Sequence, residues 1–388
     1  MTENNATQKV IVLGGGYAGV LAANHLLQRP GVKVTLVNAR PEFVERIRLH
    51  QLVAGTHDAT ADYDELLSDK VTLVVDTAER IDTAARRVEL ASGNALDYDY
   101  LIYAVGSTSA GAPEFAYALS ELEDAQRLRA RLQDVPMSAP IVVVGGGLTG
   151  IEAASEFAEA GRTTTLVAGP ALGPSLGAQA RRSAAKQLAK LGVTVIVGPT
   201  VAAVHADHVE LSDGRLLRSA TTVWTVGFGV SGLAARSGLR TDDLGRLLTD
   251  ETLVSIDDDR VVGAGDAVAP SGSPLRMSCQ AAMPLAAQAA RTVLARIDGG
   301  APQAINQAFA GQCVSIGRSY GTIQISRPDD SPRRAYVGGR IAASIKEMVC
   351  KGTLWQLRRE AAKPGSYFLI KGGKRAERLA ALLEHDPA

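Results

Sequence analysis

The same punctuation occurs twice in this chain. GGGYAGVLAANH begins at Gly14 and GGGLTGIEAASE begins at Gly145, and each follows a short apolar run, KVIVL at 9–13 and PIVVV at 140–144. Uninterrupted β-branched runs of this length read as buried parallel strands. Gly14, Gly16 and Gly19, and again Gly145, Gly147 and Gly150, take the G-x-G-x-x-G spacing, followed by an Ala-rich helix and a second apolar strand (VKVTLVN at 32–38, TTTLVAG at 163–169). Strand, tight turn, helix and parallel strand form a βαβ unit whose helix N-terminus receives a pyrophosphate. Glycine is required because a Cβ would hold the phosphate away from the backbone N–H groups.

The repetition continues past the loops. KVTLVVDTAERI from Lys70 corresponds to GVTVIVGPTVAAV from Gly192, RVELASG from Arg87 to HVELSDG from His208, and DYLIYAVGS from Asp99 to TTVWTVGFG from Thr221. Each half therefore reads as a glycine-loop βαβ, a strand, a hairpin-like excursion and a strand ending in Val-Gly. A period this long means duplicated domains, not a solenoid. A third signal comes late: RVVGAGD ends a short strand on Gly265-Asp266, and a long helix follows in SCQAAMPLAAQAARTVLARI. From about Ala301 the pattern changes. CVSIGRSYGTIQIS and RRAYVGGRIA alternate like antiparallel strands, and SIKEMVCKGTLWQLRREA, from Ser344, reads as a helix.

Composition narrows the function. Lys+Arg and Asp+Glu are both 41, which gives no footing for a nucleic-acid partner. No apolar run is long enough to span a bilayer, and MTENNATQ lacks a signal pattern, so a cytoplasmic location is expected. Cys279, Cys313 and Cys350 form no CxxC pair, metal-ligand cluster or secretory framework, and read as reduced thiols. No metal site is expected.

The two glycine loops, the two Val-Gly endings and the late GAGDA resemble the two-dinucleotide-domain flavoproteins related to the glutathione reductase superfamily. The chain looks most like type II NADH:quinone oxidoreductases and apoptosis-inducing-factor-like reductases. VWTVGFGVSGLAARSGL and GGGLTGIEAASEFAE are the closest stretches, and the likeness loosens after about residue 300. It implies an α/β fold with two Rossmann-like dinucleotide-binding domains plus a small C-terminal α+β domain. The FAD domain is discontinuous, 1–112 and 251–300; the NAD(P)H domain is 113–250 and the C-terminal domain 301–388. The resemblance places FAD on Gly14, Gly16, Tyr17, Ala18, Gly19, Asn38, Arg46, Ala104, Gly106, Gly265 and Asp266, and NAD(P)H on Gly145, Gly147, Gly150 and Gly227. The Asp266 carboxylate falls on the ribityl or phosphate side of FAD; a helix-capping aspartate is the other reading.

Several positions depart from the pattern. A carboxylate is expected at the end of the second strand to bind ribose hydroxyls. The first copy has Asn38, which either accepts from one hydroxyl or caps the following turn. The second copy has Ala168, which removes the charge that would repel a 2′-phosphate and makes NADPH tolerable. Arg181 and Arg182 lie further on, either reaching such a phosphate or exposed on a helix. Glu152 matches the family's glutamate at the nicotinamide–flavin junction, although the helix dipole alone also favours a carboxylate near a helix start. RPEFVERIRLHQLVAG, where thiol-disulfide relatives carry cysteines, has none, so a disulfide reductase is not expected. Cys279 reads as a small buried residue, with a place near the flavin open. In the same segment Arg48 or His50 either supplies positive charge to the flavin's pyrimidine edge or is a surface cation.

Quinone-reducing relatives carry A-Q-x-A-x-Q after the Gly-Asp strand. Here SCQAAMP supplies Gln280 and Ala282, but Pro284 replaces the second Gln. The resemblance thus implies a flavin-linked NAD(P)H dehydrogenase passing electrons to a quinone or other small acceptor. The catalytic candidates are Glu152, Gln280, Arg48 and His50. The alternative is a reductase of a protein carrier such as ferredoxin. KGGKRAERLAALLEHDPA has only a brief Leu cluster, so at most weak peripheral membrane contact is expected; a homodimer is left open.

Overall fold

The computed structural model describes residues 7–385. Two five-stranded, all-parallel sheets form its centre. The first runs Val261–Gly263, Tyr100–Tyr103, Gln8–Leu13, Val32–Asn38, Val71–Val75. The second runs Ala116–Ala118, Thr221–Trp224, Ile141–Val144, Thr164–Gly169, Thr194–Val197. The fold is the expected α/β arrangement of two Rossmann-like units. Both faces of each sheet are covered, which is why the central strands carry Val, Ile and Leu without alternation. Each buried side chain of that kind contributes roughly 1.5–3 kcal/mol.

The duplication holds at the level of register. Leu13 pairs with Val37 and Val144 with Val167, so Asn38 and Ala168 occupy equivalent positions one residue beyond. Each excursion is a small three-stranded antiparallel sheet, at 78–97 in one half and 201–218 in the other. The chain passes between the two units along Ser107–Ser109 and Phe228–Val230, which pair antiparallel.

The last third of the chain joins the halves. Strands Gly311–Ile316, Tyr320–Ser326 and Pro332–Gly338 make an antiparallel meander. The helix Gly339–Ala362 follows directly, starting five residues before Ser344, and Arg375–His385 closes the described chain. Gly311–Ile316 packs on the second glycine-loop helix, Leu148–Glu159, while Gly339–Ala362 packs on the first, Tyr17–Leu26. Tyr17–Leu26 is buried along its whole length, pressed also against Cys279–Ile297. A fully buried ion pair, His25 Nδ1 to Glu360 Oε1 at 2.6 Å, fixes its far end to the C-terminal helix. Both glycine loops thus lie under elements that carry no fingerprint.

Candidate functional site

In each loop, the first and last glycines of the G-x-G-x-x-G spacing are demanded by packing and the middle one faces empty space. A Cβ on Gly14 (φ +99) would lie 2.4 Å from the Ala104 carbonyl oxygen, and one on Gly19 1.7 Å from that of Gly14. In the second loop a Cβ on Gly145 (φ +124) would lie 2.4 Å from Thr225 Oγ1, and one on Gly150 1.9 Å from the Gly145 carbonyl oxygen. Gly16 and Gly147, the residues that cap the two helices, have no protein atom within 4 Å of the Cβ position. Neither helix has an acidic residue in its first turn or a side-chain cap, so the N–H groups at the helix starts, Gly16 and Gly147, stay free for an anion. This cradle fits a dinucleotide pyrophosphate in both halves.

Around the first loop the remaining predicted residues fall together. Tyr17 sits edge-on to Phe43 at 5.1 Å between ring centroids. A Cβ on Gly265 would lie 3.0 Å from the Ala18 Cβ, so the late Gly-Asp turn closes directly on the first helix. Gly106 (φ +71) and Gly227 (φ +85) are at the two passages between halves, and Gly227 lies against Ala110. Asn38 Oδ1 accepts from the Gly15 N–H at 2.9 Å while its Nδ2 donates to the Arg40 carbonyl at 2.8 Å. Its amide therefore braces the loop and the following turn.

Asp266 does not cap the next helix. Ser278 caps Cys279–Ile297, and Asp266 Oδ1 accepts from the Ser278 N–H at 3.2 Å. Asp266 Oδ2 accepts from Ser107 Oγ at 2.8 Å. Burial raises the acid's pKa, against the pull of Ser107 and Arg46. Arg46 is itself engaged by Ser107 Oγ at 3.0 Å and the Ser120 carbonyl at 3.0 Å, which ties the segment to the crossing strand.

Arg48 and His50 are corrected by the structure. Neither is a surface cation: they are 2% and 3% exposed. Arg48 lies between Glu45 (3.2 Å) and Glu347 (3.0 Å), with Gln51 accepting at 2.9 Å, so two carboxylates cancel its charge. Burial drives the His50 pKa down to about 4, against the opposing Glu152, so the ring is neutral at neutral pH. Neither can supply a free positive charge. Gln280, the remaining candidate, accepts weakly from Arg276 at 3.4 Å, and Arg276 is paired with Asp330 at 2.6 Å.

Glu152 is the centre of a buried cluster that the sequence only half revealed. Its Oε1 accepts from the Ser315 N–H (3.0 Å) and Oγ (3.1 Å) and lies 3.2 Å from Lys346 Nζ; His50 Nδ1 is 3.8 Å from Oε2. Burial pushes the Glu152 pKa up, but Lys346, His50 and Ser315 together bring it below the ordinary carboxylate value. Burial pulls the Lys346 ammonium the other way, yet the ionised Glu152 raises it well above its ordinary value. The cluster thus holds a fixed carboxylate and a fixed ammonium. Lys346 was legible in one respect: it stands on the stripe Ala342–Cys350–Leu357 that the helix buries, an unusual place for a charge.

The cysteines, far apart in sequence, come together here. Cys279, Cys313 and Cys350 all lie near Lys346, and burial raises each thiol's pKa, so they stay protonated. All three are free. A second layer of charge runs outward: Arg318 reaches Glu156 at 3.5 Å and Glu347 at 3.1 Å.

Residues 8–292 match the model of the pyridine nucleotide-disulphide oxidoreductases. The chain belongs to that family. Among curated members it is 32% identical to an NADH dehydrogenase-like protein of Mycobacterium tuberculosis, covering 74% of this chain and 80% of that one. It is 27% identical to a type II NADH:quinone oxidoreductase of Staphylococcus epidermidis, over 90% and 96% of the two chains. Two solved structures share the fold across nearly the whole length. The sulfide:quinone oxidoreductase of Aquifex aeolicus superposes with a TM-score of 0.77 at 20% identity, covering 97% and 95%. NDH2 of Plasmodium falciparum in complex with NADH gives 0.77 at 16%, covering 93% and 99%. This pyridine nucleotide-disulphide oxidoreductase is accordingly an FAD-dependent NAD(P)H oxidoreductase.

Proposed function

We propose that this oxidoreductase takes a hydride from NAD(P)H on the second glycine loop and delivers the electrons to a quinone or similar small acceptor. One observation carries the reading: the buried Glu152–Lys346 pair, where the second glycine-loop helix meets the C-terminal helix. FAD, when bound on the first loop, supplies the two-electron carrier between donor and acceptor. Residues 1–112 and 251–300 would hold it, 113–250 the nucleotide, and 301–388 would close the acceptor side. Gly16, at the helix start, would turn its N–H to the pyrophosphate, Gly14 and Gly19 allow the tight turn beneath it, Asn38 keeps that loop in shape, and Asp266, fixed by Ser107 and Ser278, offers its carboxylate beyond.

Reducing a quinone requires protons as well as electrons. Lys346 Nζ, held as an ammonium by Glu152, is a poor source of those protons, but it is a buried hydrogen-bond donor and counter-charge for an acceptor that becomes negative. Ser315 fixes the Glu152 carboxylate, and neutral His50 packs beside it without competing for the ammonium.

The acceptor's solubility suggests where the protein works. Ile341, Met348 and Trp355 are 68%, 63% and 56% exposed and stand seven residues apart, on one face of the helix Gly339–Ala362. Phe368 and Ile370, just after the helix, are exposed as well, and residues 339–378 carry ten Lys/Arg against three Glu. Among the described residues no helix is long and apolar enough to cross a membrane. Peripheral attachment to an anionic lipid surface fits this pattern. Anaerobic NAD(P)H should bleach the flavin of the purified protein, and a short-chain quinone should restore it; a flavin that stays oxidised with both nucleotides would sink the proposal. Co-sedimentation with anionic vesicles, lost in Met348→Glu and Trp355→Glu, tests the attachment separately.

A further inference from the structure

The ribose end of the second nucleotide site has no carboxylate at the end of its second strand. Ala168 stands where the register places Asn38 in the first half, one residue past the pair Val144–Val167. In the general fingerprint, a carboxylate at this point grips the adenosine ribose and repels a 2′-phosphate. Here the backbone curls over instead: the Gly173 N–H donates to the Gly146 carbonyl at 2.7 Å, and the Gly198 N–H to the Gly169 carbonyl at 2.8 Å. The Ala168 and Ala171 carbonyl oxygens both lie 2.4 Å from where a Gly146 Cβ would sit, which keeps the loop side closed.

The chain segment that builds this side of the site carries one sign of charge. From Ala160 to Ala206 the chain contains no Asp or Glu at all, a stretch that includes the strand Thr164–Gly169, the helix Ala178–Lys190 and the strand Thr194–Val197. Arg181 and Arg182 stand in the opening turns of that helix. Arg181 donates to the Leu176 carbonyl at 3.1 Å, and among the described residues neither arginine has a carboxylate partner. No carboxylate of this stretch opposes a dianionic 2′-phosphate, and any attraction of that group to the two arginines is long-ranged and sensitive to salt.

We propose that the second dinucleotide site accepts a nicotinamide dinucleotide bearing a 2′-phosphate, NADPH, at least as readily as NADH, and that Ala168 is the residue that sets this breadth. The proposal rests on the reading of that site as the nicotinamide nucleotide site. The ribose pocket is tested without turnover by calorimetry on the FAD-loaded protein with 2′,5′-ADP and 5′-AMP, which differ only in the 2′-phosphate. The expected result is tighter binding of 2′,5′-ADP, with an advantage that shrinks as salt is raised. Weaker binding of 2′,5′-ADP overturns the proposal, as does an advantage indifferent to salt. Ala168→Glu is expected to weaken 2′,5′-ADP at least thirtyfold relative to 5′-AMP. Because Ala168 is buried, the double variant Arg181→Gln, Arg182→Gln provides an independent check; it should weaken 2′,5′-ADP at least fivefold, and equal affinity to the parent counts against the proposal. In turnover, kcat/KM for NADPH should be within tenfold of that for NADH or above it, and a larger preference for NADH overturns it. If neither nucleotide reduces the flavin, the proposed electron transfer fails while the calorimetry still judges the pocket.

Discussion

Replacing Lys346 with Met removes the one cation in direct contact with the buried Glu152 carboxylate while keeping most of the side-chain volume. At 3.2 Å, with an effective dielectric constant of about 20, the lost attraction is about 5 kcal/mol before solvation is counted. Breaking a buried pair on one side costs about 3–5 kcal/mol net, because the other charge is left behind. The pH dependence identifies the mechanism. In the parent protein Glu152 titrates below its ordinary value of 4.5, so it adds stability above that pH and loses it as pH falls through the lower folded value. Without Lys346, burial dominates, the folded pKa rises above the unfolded one, and the sign reverses. Lys346→Met should then cost about 3–5 kcal/mol at pH 8 but only about 1 kcal/mol at pH 5, where the acid takes up a proton. The assay is urea unfolding of the FAD-loaded protein, followed by flavin fluorescence, at both pH values. Adding Glu152→Gln should recover at least about 2 kcal/mol at pH 8, the coupling expected of a direct pair. An equal cost at pH 5 and pH 8, or a coupling below about 0.5 kcal/mol, would refute the reasoning.

Three further outcomes are expected. Gly147→Ala places its methyl in open space, so the protein should fold with full FAD content while its nucleotide affinity drops at least tenfold; Gly150→Ala should instead destabilise the fold, because its methyl meets the Gly145 carbonyl at 1.9 Å. Glu156 has its pKa raised to about 7 by burial, with Arg318 opposing, so the folded chain binds that proton more tightly than the unfolded one. Its contribution is favourable at acid pH and is lost as pH rises from about 4.5 to 7; Glu156→Gln should erase about 2–3 kcal/mol of this slope in stability measured between pH 5 and 8. Glu360→Gln weakens the bond to His25 and those from the Gly365 and Tyr367 N–H groups, so it should lower the thermal transition and loosen the C-terminal helix, read by hydrogen exchange.

What the sequence determined by itself was local. The glycine spacing, the helix that follows and the apolar strands on either side are neighbours along the chain, and a pyrophosphate cradle is built from backbone groups within about six residues. Duplication then made the order of strands legible, down to the equivalence of Asn38 and Ala168. The same locality explains why the loss of a carboxylate at Ala168 is visible in the amino-acid sequence alone. The charge cluster was not local. Ser315 meets Glu152 across 163 residues, and Lys346 comes from a helix with no motif. Arg48 and His50 read as cations from their side chains alone, but two carboxylates neutralise the first and burial neutralises the second. Whether an ionisable group is charged depends on its dielectric surroundings and partners, and only packing supplies those. The tertiary structure therefore decided the partners of each charge, Arg48 between two carboxylates and Lys346 against Glu152, and that the three cysteines share the surroundings of Lys346.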